Sequence, residues 1–229
     1  MPTLLRCDAG CERLGFAARS LLRGIASGEE SDEEITARLR ARFGPRTPVR
    51  LELVHAACRG PARPGAGAGA VQLVVFSDFQ CPYCSLARVL VEILERRATT
   101  PLQVCFKHYP LVSMHKQARL AAQAAVAAQL QSKFWQMHDR LFAHPKELAP
   151  QQLFGHARAV GLDVPRFERD LDSPLVRLRV ERDRTDAIAL KLPGTPTFFI
   201  DGHEMIDPKS IPDFLDWIAE AALRRRQGL

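Results

Sequence analysis

Two cysteines separated by two residues, Cys81-Pro82-Tyr83-Cys84, stand where one local structure must give way to another. Before them, Val71-Gln72-Leu73-Val74-Val75-Phe76 is a short apolar, β-branched run that reads as a buried strand. After them, Ala87, Leu90, Val91 and Leu94 fall at i, i+3, i+4 and i+7 and make one helical face. A Cys-x-x-Cys at a strand-to-helix junction sets its first sulfur at the helix N-terminus. Unpaired backbone N–H groups and the positive end of the helix dipole favour a thiolate there. The second cysteine lies one turn deeper, near enough to close a small disulfide ring. Pro82 suits the first helical turn, where its missing N–H would have been unpaired in any case. The position therefore predicts a redox pair in an α/β fold. A lone Cys-x-x-Cys also fits half of a zinc site, which Cys7 and Cys11 would complete.

At 229 residues the chain holds one sizeable domain plus an appendage, or two small domains. Its 46% hydrophobic and 25% charged residues are ordinary for a globular protein. The net charge is +6, but no stretch interleaves Lys or Arg with aromatics, so no nucleic-acid partner is expected. Arg224-Arg225-Arg226 reads as a solvated helix end that complements the helix dipole. The six cysteines (Cys7, Cys11, Cys58, Cys81, Cys84, Cys105) permit full pairing, yet a chain this long does not need disulfides to build a core. There is no apolar run of the roughly 18 residues a transmembrane helix requires. Met1-Pro2-Thr3-Leu4-Leu5-Arg6 lacks an apolar signal-peptide core, so the chain reads as cytosolic or as a mature fragment behind a non-native start.

Residues 1–45 are expected to form a helical hairpin. Leu14, Ala17, Ala18, Leu21, Leu22 and Ile25 make one stripe, and a capping box at Ser31 and Glu34 opens a second helix that Gly44-Pro45 ends. Residues 46–70 are a connector, Gly/Ala/Pro-rich from Pro61 to Ala70, with a random-coil span of roughly 15–20 Å for that stretch. Cys58 just before it pairs with Cys105, with another cysteine, or with none. From 71 to 229 the pattern predicts a second strand at Leu102–Lys107 and a long helical section. That section includes an alanine-rich helix at Ala118–Leu130 and further helices at Pro150–Val160, Pro165–Leu171 and Pro174 to about Leu190. A hairpin follows, with Thr197–Ile200 and His203–Ile206 joined by Asp201-Gly202, and the last helix starts at Ser210.

The order β–α–β, helical insert, β–β–α resembles the thioredoxin plan with an all-helical insertion at about 112–192. Residues 71–229 look like the DsbA-like thiol–disulfide oxidoreductases, in particular the bacterial subgroup with Phe-Ser-Asp-Phe-x-Cys-Pro-Tyr-Cys. The matching stretches are Phe76 to Cys84, His108-Tyr109-Pro110-Leu111, Lys133-Phe134-Trp135 and Gly194 to Gly202, in the family's order over about 160 residues. The resemblance implies that Cys81 is the nucleophile and Cys84 the resolving thiol, with no dissociable cofactor and no metal. It implies a cis peptide bond before Pro196, backbone there that pairs with a substrate chain, and a Thr195 hydroxyl facing the active sulfur. Unfolded or cysteine-containing proteins would be the substrates, a redox partner would reset the disulfide, and the compartment would be the periplasm or the cell exterior.

Some features depart from the family or need a role of their own. Val75 stands six positions before Cys81, where many thioredoxin-like proteins carry a buried acid. Asp78 reads as a loop or cap residue. Tyr83 replaces the His that strongly oxidising members favour, so a milder oxidant is expected. Phe79, Tyr83 and Pro196, beside Pro82, are expected to rim an apolar groove for unfolded chains. His108, His115 and His138 have no ligand-like spacing and read as core or surface residues.

At the N-terminus, Leu4-Leu5-Arg6-Cys7, Cys11, Ser31-Asp32-Glu33-Glu34-Ile35 and Arg42-Phe43-Gly44 resemble the CcmH family of cytochrome c maturation proteins. The chain departs from it by placing three residues between Cys7 and Cys11, which form a candidate second pair, redox-active or structural. The fold class expected is α/β, thioredoxin-like with a helical insertion, preceded by a small helical module. The function expected is disulfide donation to protein cysteines. The alternatives are a reductase or isomerase for a client such as a cytochrome c maturation factor, and a zinc-stabilised interaction module. Oligomeric state is left open.

Overall fold

The structure, a computed structural model, describes residues 67, 69–205 and 210–226. The helical hairpin expected over 1–45, all but the end of the 46–70 connector, and Cys7, Cys11 and Cys58 lie outside the described residues. Strand β1 (Val71–Ser77) is buried throughout except at Gln72. Both of its faces are covered, which is why its sequence runs apolar instead of alternating. Helix α1 (Pro82–Arg97) leads to β2 (Leu102–His108). Five helices follow: α2 (Ala118–Gln129), α3 (Phe134–Ala143), α4 (Pro150–Ala159), α5 (Val164–Leu171) and α6 (Pro174–Ala189). The chain returns through β3 (Thr197–Ile200) and β4 (His203–Glu204) to α7 (Ile211–Arg226). The sheet order is β2-β1-β3-β4, with β1 parallel to β2 and antiparallel to β3, and β3 antiparallel to β4.

Alternate residues of β1 face opposite ways. Val71, Leu73 and Val75 pack on Ala87, Val91 and Leu94 of α1 and on Phe214 and Ile218 of α7. Val74 and Phe76 pack the other way, with Cys105, Ala187 and Phe199. On that second face Lys107, 2% exposed, pairs with Asp186 of α6 and stands 3.9 Å from Asp183. Asp183 also accepts a hydrogen bond from the His108 backbone N–H at 3.0 Å. Burial pushes the Asp183 carboxyl up to about 6, against the pull of that N–H and of Lys107. This polar clamp fastens the last helix of the insert to the sheet. Such a pair holds only while both partners remain, since a lone buried charge is costly.

The β3–β4 turn has positive φ at both central residues, Asp201 (45°) and Gly202 (79°), as a type I′ hairpin requires. Asp201 also accepts from the Gln72 backbone N–H at 2.8 Å and receives both arms of Arg225 at 2.6 Å. The arginine run is therefore more than a solvated end: Arg225 locks α7 to the turn, and Arg224 pairs with Glu220.

Helix α2 runs through the middle of the insert with nine of its twelve residues buried. Its alanines let the neighbouring helices come close, and Phe134, Leu141, Leu153, Phe167 and Val176 fill the space around it. Phe79 belongs to this core. It is 1% exposed, stacks on Phe106 at 5.4 Å and meets Phe142 at 4.8 Å. The expectation of Phe79 on a substrate rim is corrected here: the helical lobe closes over the loop before Cys81 and takes the ring inside. Phe79→Ala is accordingly expected to cost about 3–5 kcal/mol of stability in denaturant unfolding. A loss below about 1 kcal/mol would return the ring to the surface.

Candidate active site

Cys81 is the N-cap of α1, with extended backbone (φ −73°, ψ 121°) and Pro82 just inside the helix. The backbone N–H groups of Cys84 and Ser85 donate to its carbonyl at 3.1 and 3.3 Å. No acidic residue sits in the first turn, so nothing there cancels the positive helix end. Cys81 and Cys84 are both free thiols, 5% and 1% exposed. The Cys81 thiol donates to the Thr195 carbonyl at 3.4 Å, and the Asp78 backbone N–H donates to Cys84 Sγ at 3.4 Å. The Thr195–Pro196 peptide bond is cis. Residues more than a hundred positions apart thus meet at one sulfur.

The two thiols divide sharply. A hydrogen bond from Cys84 is the main cause that brings Cys81 down to about 5; burial opposes it, while the Thr195 side chain and the N–H groups of Cys84 and Tyr83 help. Burial, and then the bond to Cys81, push Cys84 far above the ordinary thiol range. Ser77, Thr195 and the Asp78 N–H pull the other way without offsetting this. The pair releases one proton easily and keeps the second. Thr195 Oγ1 is buried and, among the described residues, has no hydrogen-bond partner while the cysteines are thiols. It acts on the ionised sulfur, to which a hydroxyl donates more strongly.

Around the mouth, Tyr83 and Leu86 are 69% and 68% exposed. They line a groove of about 360 Å³ with Leu90, Pro196, Phe198 and Phe214. Tyr83 and Pro196 thus stand where a rim was expected, exposed Pro82 adjoins them, and Leu86 and Leu90 take the place assigned to Phe79. Tyr83, Leu86 and Leu90 fall at i, i+3 and i+7, a stripe legible in the sequence. Asp78 holds the loop. Its carboxylate accepts from the Gln80 and Leu111 N–H groups at 2.7 and 2.9 Å and meets His115 Nδ1 at 2.8 Å. Ser77, given no role from sequence, ends β1 in phase with Val75 and so faces Cys84. Cys105 is disulfide-bonded. Among the described residues no group of three His, Cys, Asp or Glu is placed to hold a metal ion.

A dithiol capping a helix, set against a cis-proline loop on a sheet of this order, defines the thioredoxin-fold class of thiol–disulfide oxidoreductases. Comparison with known proteins narrows the class. The chain belongs to the Thioredoxin_4 family (thioredoxin), which it matches over residues 60–220. A thioredoxin-like oxidoreductase from Silicibacter pomeroyi superposes with a TM-score of 0.65 at 25% identity, covering 78% of this chain and 98% of that one. The thiol-disulfide exchange protein alpha-DsbA2 of Wolbachia pipientis shares the fold, with a TM-score of 0.64 at 16% identity, covering 74% of this chain and 90% of that one. The Na(+)/H(+) antiporter NhaA 1 of Salinispora arenicola is 40% identical over 133 residues, 58% of this chain. The chain spans only about a fifth of that relative's length, 20%. No helix among the described residues is long and apolar enough to cross a membrane.

Ultraviolet absorbance of the Cys81 thiolate should titrate with a midpoint near pH 5. Thr195→Val should raise that midpoint by about one pH unit, since a hydrogen bond to a charged group contributes about 1.5 kcal/mol. An unmoved midpoint removes Thr195 from the site's electrostatics.

Proposed function

We propose that this protein donates a Cys81–Cys84 disulfide to cysteines of unfolded or partly folded proteins. A substrate thiolate attacks Cys81 Sγ and expels Cys84, giving a mixed disulfide. A second substrate thiolate attacks the substrate's own bonded sulfur, forms the substrate disulfide and leaves Cys81 as thiolate. The observation that carries the reading is the Cys81 thiol, brought down to about 5 chiefly by its hydrogen bond from Cys84. A stabilised leaving thiolate favours the reduced enzyme, and so makes its disulfide the more ready to be given away. Tyr83 carries no charge, yet the bond from Cys84, the Thr195 hydroxyl and backbone N–H groups supply what a charged neighbour would.

The apolar groove beside Tyr83 and Pro196 suits exposed hydrophobic segments of an unfolded chain, and the backbone at Thr195 suits pairing with an extended one. The reaction needs no dissociable cofactor, only a redox partner that reoxidises the pair. It fits an extracytoplasmic, oxidising compartment. The antiport named for the relative with a matching segment is not assigned to this chain.

Cys81→Ser should abolish exchange, and Cys84→Ala should accumulate mixed disulfides on Cys81, visible on non-reducing gels. Oxidative refolding of a reduced substrate should outpace insulin reduction; the opposite ranking favours a reductase for a particular client. Stability carries the same sign. Cys81 has a lower pKa folded than unfolded, so thiolate stabilisation is complete above the unfolded value, near 8.5, and fades as pH falls through about 5. The stability of the reduced protein relative to the oxidised one should therefore rise with pH across that window.

A further inference from the structure

Opening the Cys81–Cys84 disulfide puts an electron pair on a sulfur that water hardly reaches. Cys84 is buried, and the cavity behind it, about 20 Å³ and lined among others by Ser77, Phe142 and His138, has room for one water molecule. A charge formed there must be met by donors already in place, because few solvent dipoles can turn toward it. Ser77 and Thr195 offer hydroxyls, which rotate. A third donor is the Asp78 backbone N–H, 3.4 Å from Cys84 Sγ, and it moves only if the chain moves.

Residue 78 touches both halves of the pair through its backbone. Its N–H donates to the Cys84 sulfur, and its carbonyl accepts the N–H of Cys81 at 3.1 Å. Its side chain is bonded elsewhere. Oδ1 accepts the Gln80 N–H at 2.7 Å, and Oδ2 accepts from the Leu111 N–H at 2.9 Å and from His115 Nδ1 at 2.8 Å. The backbone N–H of His115 donates to the Leu111 carbonyl at 2.9 Å, which closes the turn that brings both donors onto one oxygen. Gln80 adds a parallel tie, its Oε1 accepting the Gln117 N–H at 2.6 Å. Residues 111–117, the entry to the helical insert, thus grip the loop before Cys81. The Asp78 carboxylate is fully enclosed, and the His115 side chain is 18% exposed. A side chain this short, fixed at its carboxylate, fixes its own Cα and the two rigid peptide planes that meet there.

We infer that Asp78 is a positioning residue for Cys84: Leu111 and His115 hold its carboxylate so that its backbone N–H stays on the Cys84 sulfur and meets the negative charge that builds there as the disulfide opens or closes. In donation a substrate thiolate attacks Cys81, the Cys81–Cys84 bond breaks, and its electron pair goes to Cys84. The N–H supports that charge until a proton from solvent neutralises the sulfur. In closure Cys84 gives its proton to solvent and attacks Cys81 with the freed pair. The bond from Cys81 to the departing sulfur then breaks, and that sulfur leaves as thiolate. This rests on the exchange reading above.

The test separates rate from equilibrium. Cys84 is uncharged both as thiol and as disulfide, so a residue that supports its charge only while it builds slows opening and closing alike. For closure, the reduced full-length chain is mixed with one equivalent of Ellman's reagent. Acid quench and peptide mass spectrometry then track the thionitrobenzoate adduct on Cys81 and its conversion to the Cys81–Cys84 disulfide. Opening is followed as reduction of the oxidised chain by dithiothreitol. Asp78→Asn trades one acceptor oxygen for a donor. Both rates at neutral pH should then fall by about three- to tenfold, the effect of a hydrogen bond to a charged sulfur when that charge is about half formed. Adduct formation at Cys81 and the equilibrium constant with glutathione should keep their wild-type values. His115→Ala should slow both rates in the same way. Wild-type rates in Asp78→Asn or in His115→Ala overturn the inference. So does a change in only one rate with a matching shift of the glutathione equilibrium, the pattern of a residue that merely stabilises one redox form. If Asp78→Asn does not fold, His115→Ala, a change at a partly exposed side chain, decides by the same two rates. A wild-type adduct that never converts instead sinks the exchange reading itself.

Discussion

The site depends on one contact, the hydrogen bond by which the buried Cys84 thiol supports the sulfur of Cys81. Desolvation penalises a charge on Cys84 far more than one on Cys81, so the single negative charge that the pair readily carries settles on the outer sulfur. Both consequences serve exchange. The outer sulfur is ionised and a good leaving group, and the inner one keeps a proton that it donates to its neighbour. A pair equally exposed would share the charge and lose the asymmetry that separates nucleophile from resolving thiol.

Keeping Cys84 dry while Cys81 meets a groove is the work of the fold. Helix α1 supplies N–H groups at its first turn, and Asp78 pins the loop before it to the segment after β2. Phe79, Phe106, Phe134 and Phe142 wall the inner side, three of the four belonging to the loop before Cys81 or to α3. The insert is therefore part of the redox site and more than decoration on a small sheet. The Lys107 clamp to α6 fastens that lobe to the strand beside the site.

Much of this was legible from residues. The strand-to-helix junction announced itself through Val71–Phe76 and the stripe from Ala87 to Leu94, and Asp201-Gly202 marked its turn. Those are local signals, set by periodicity and by φ preferences. Phe79 was misread because its environment is made by α3, some sixty residues on; an aromatic beside an active loop looks the same whether a lobe covers it or not. His138 was read as core, and it is buried, but nothing in spacing places it on the same cavity as Cys84. Ser77 could have been found by carrying the alternation of β1 one residue further, from Val75.

The absence of a charged residue between the cysteines also sets how the thiolate behaves. A His in the dipeptide would stabilise it only while protonated, tying nucleophilicity to a second titration near neutral pH. Here the donors are a thiol, a hydroxyl and backbone N–H groups, none of which titrates in that range. They act at contact distance in a poorly solvated site, where salt screens little. The outer sulfur therefore keeps its charge from mildly acidic to alkaline pH without a partner that must be charged as well. The pH sensitivity of the cycle is moved to the inner sulfur, whose proton has to travel each time the disulfide forms or breaks.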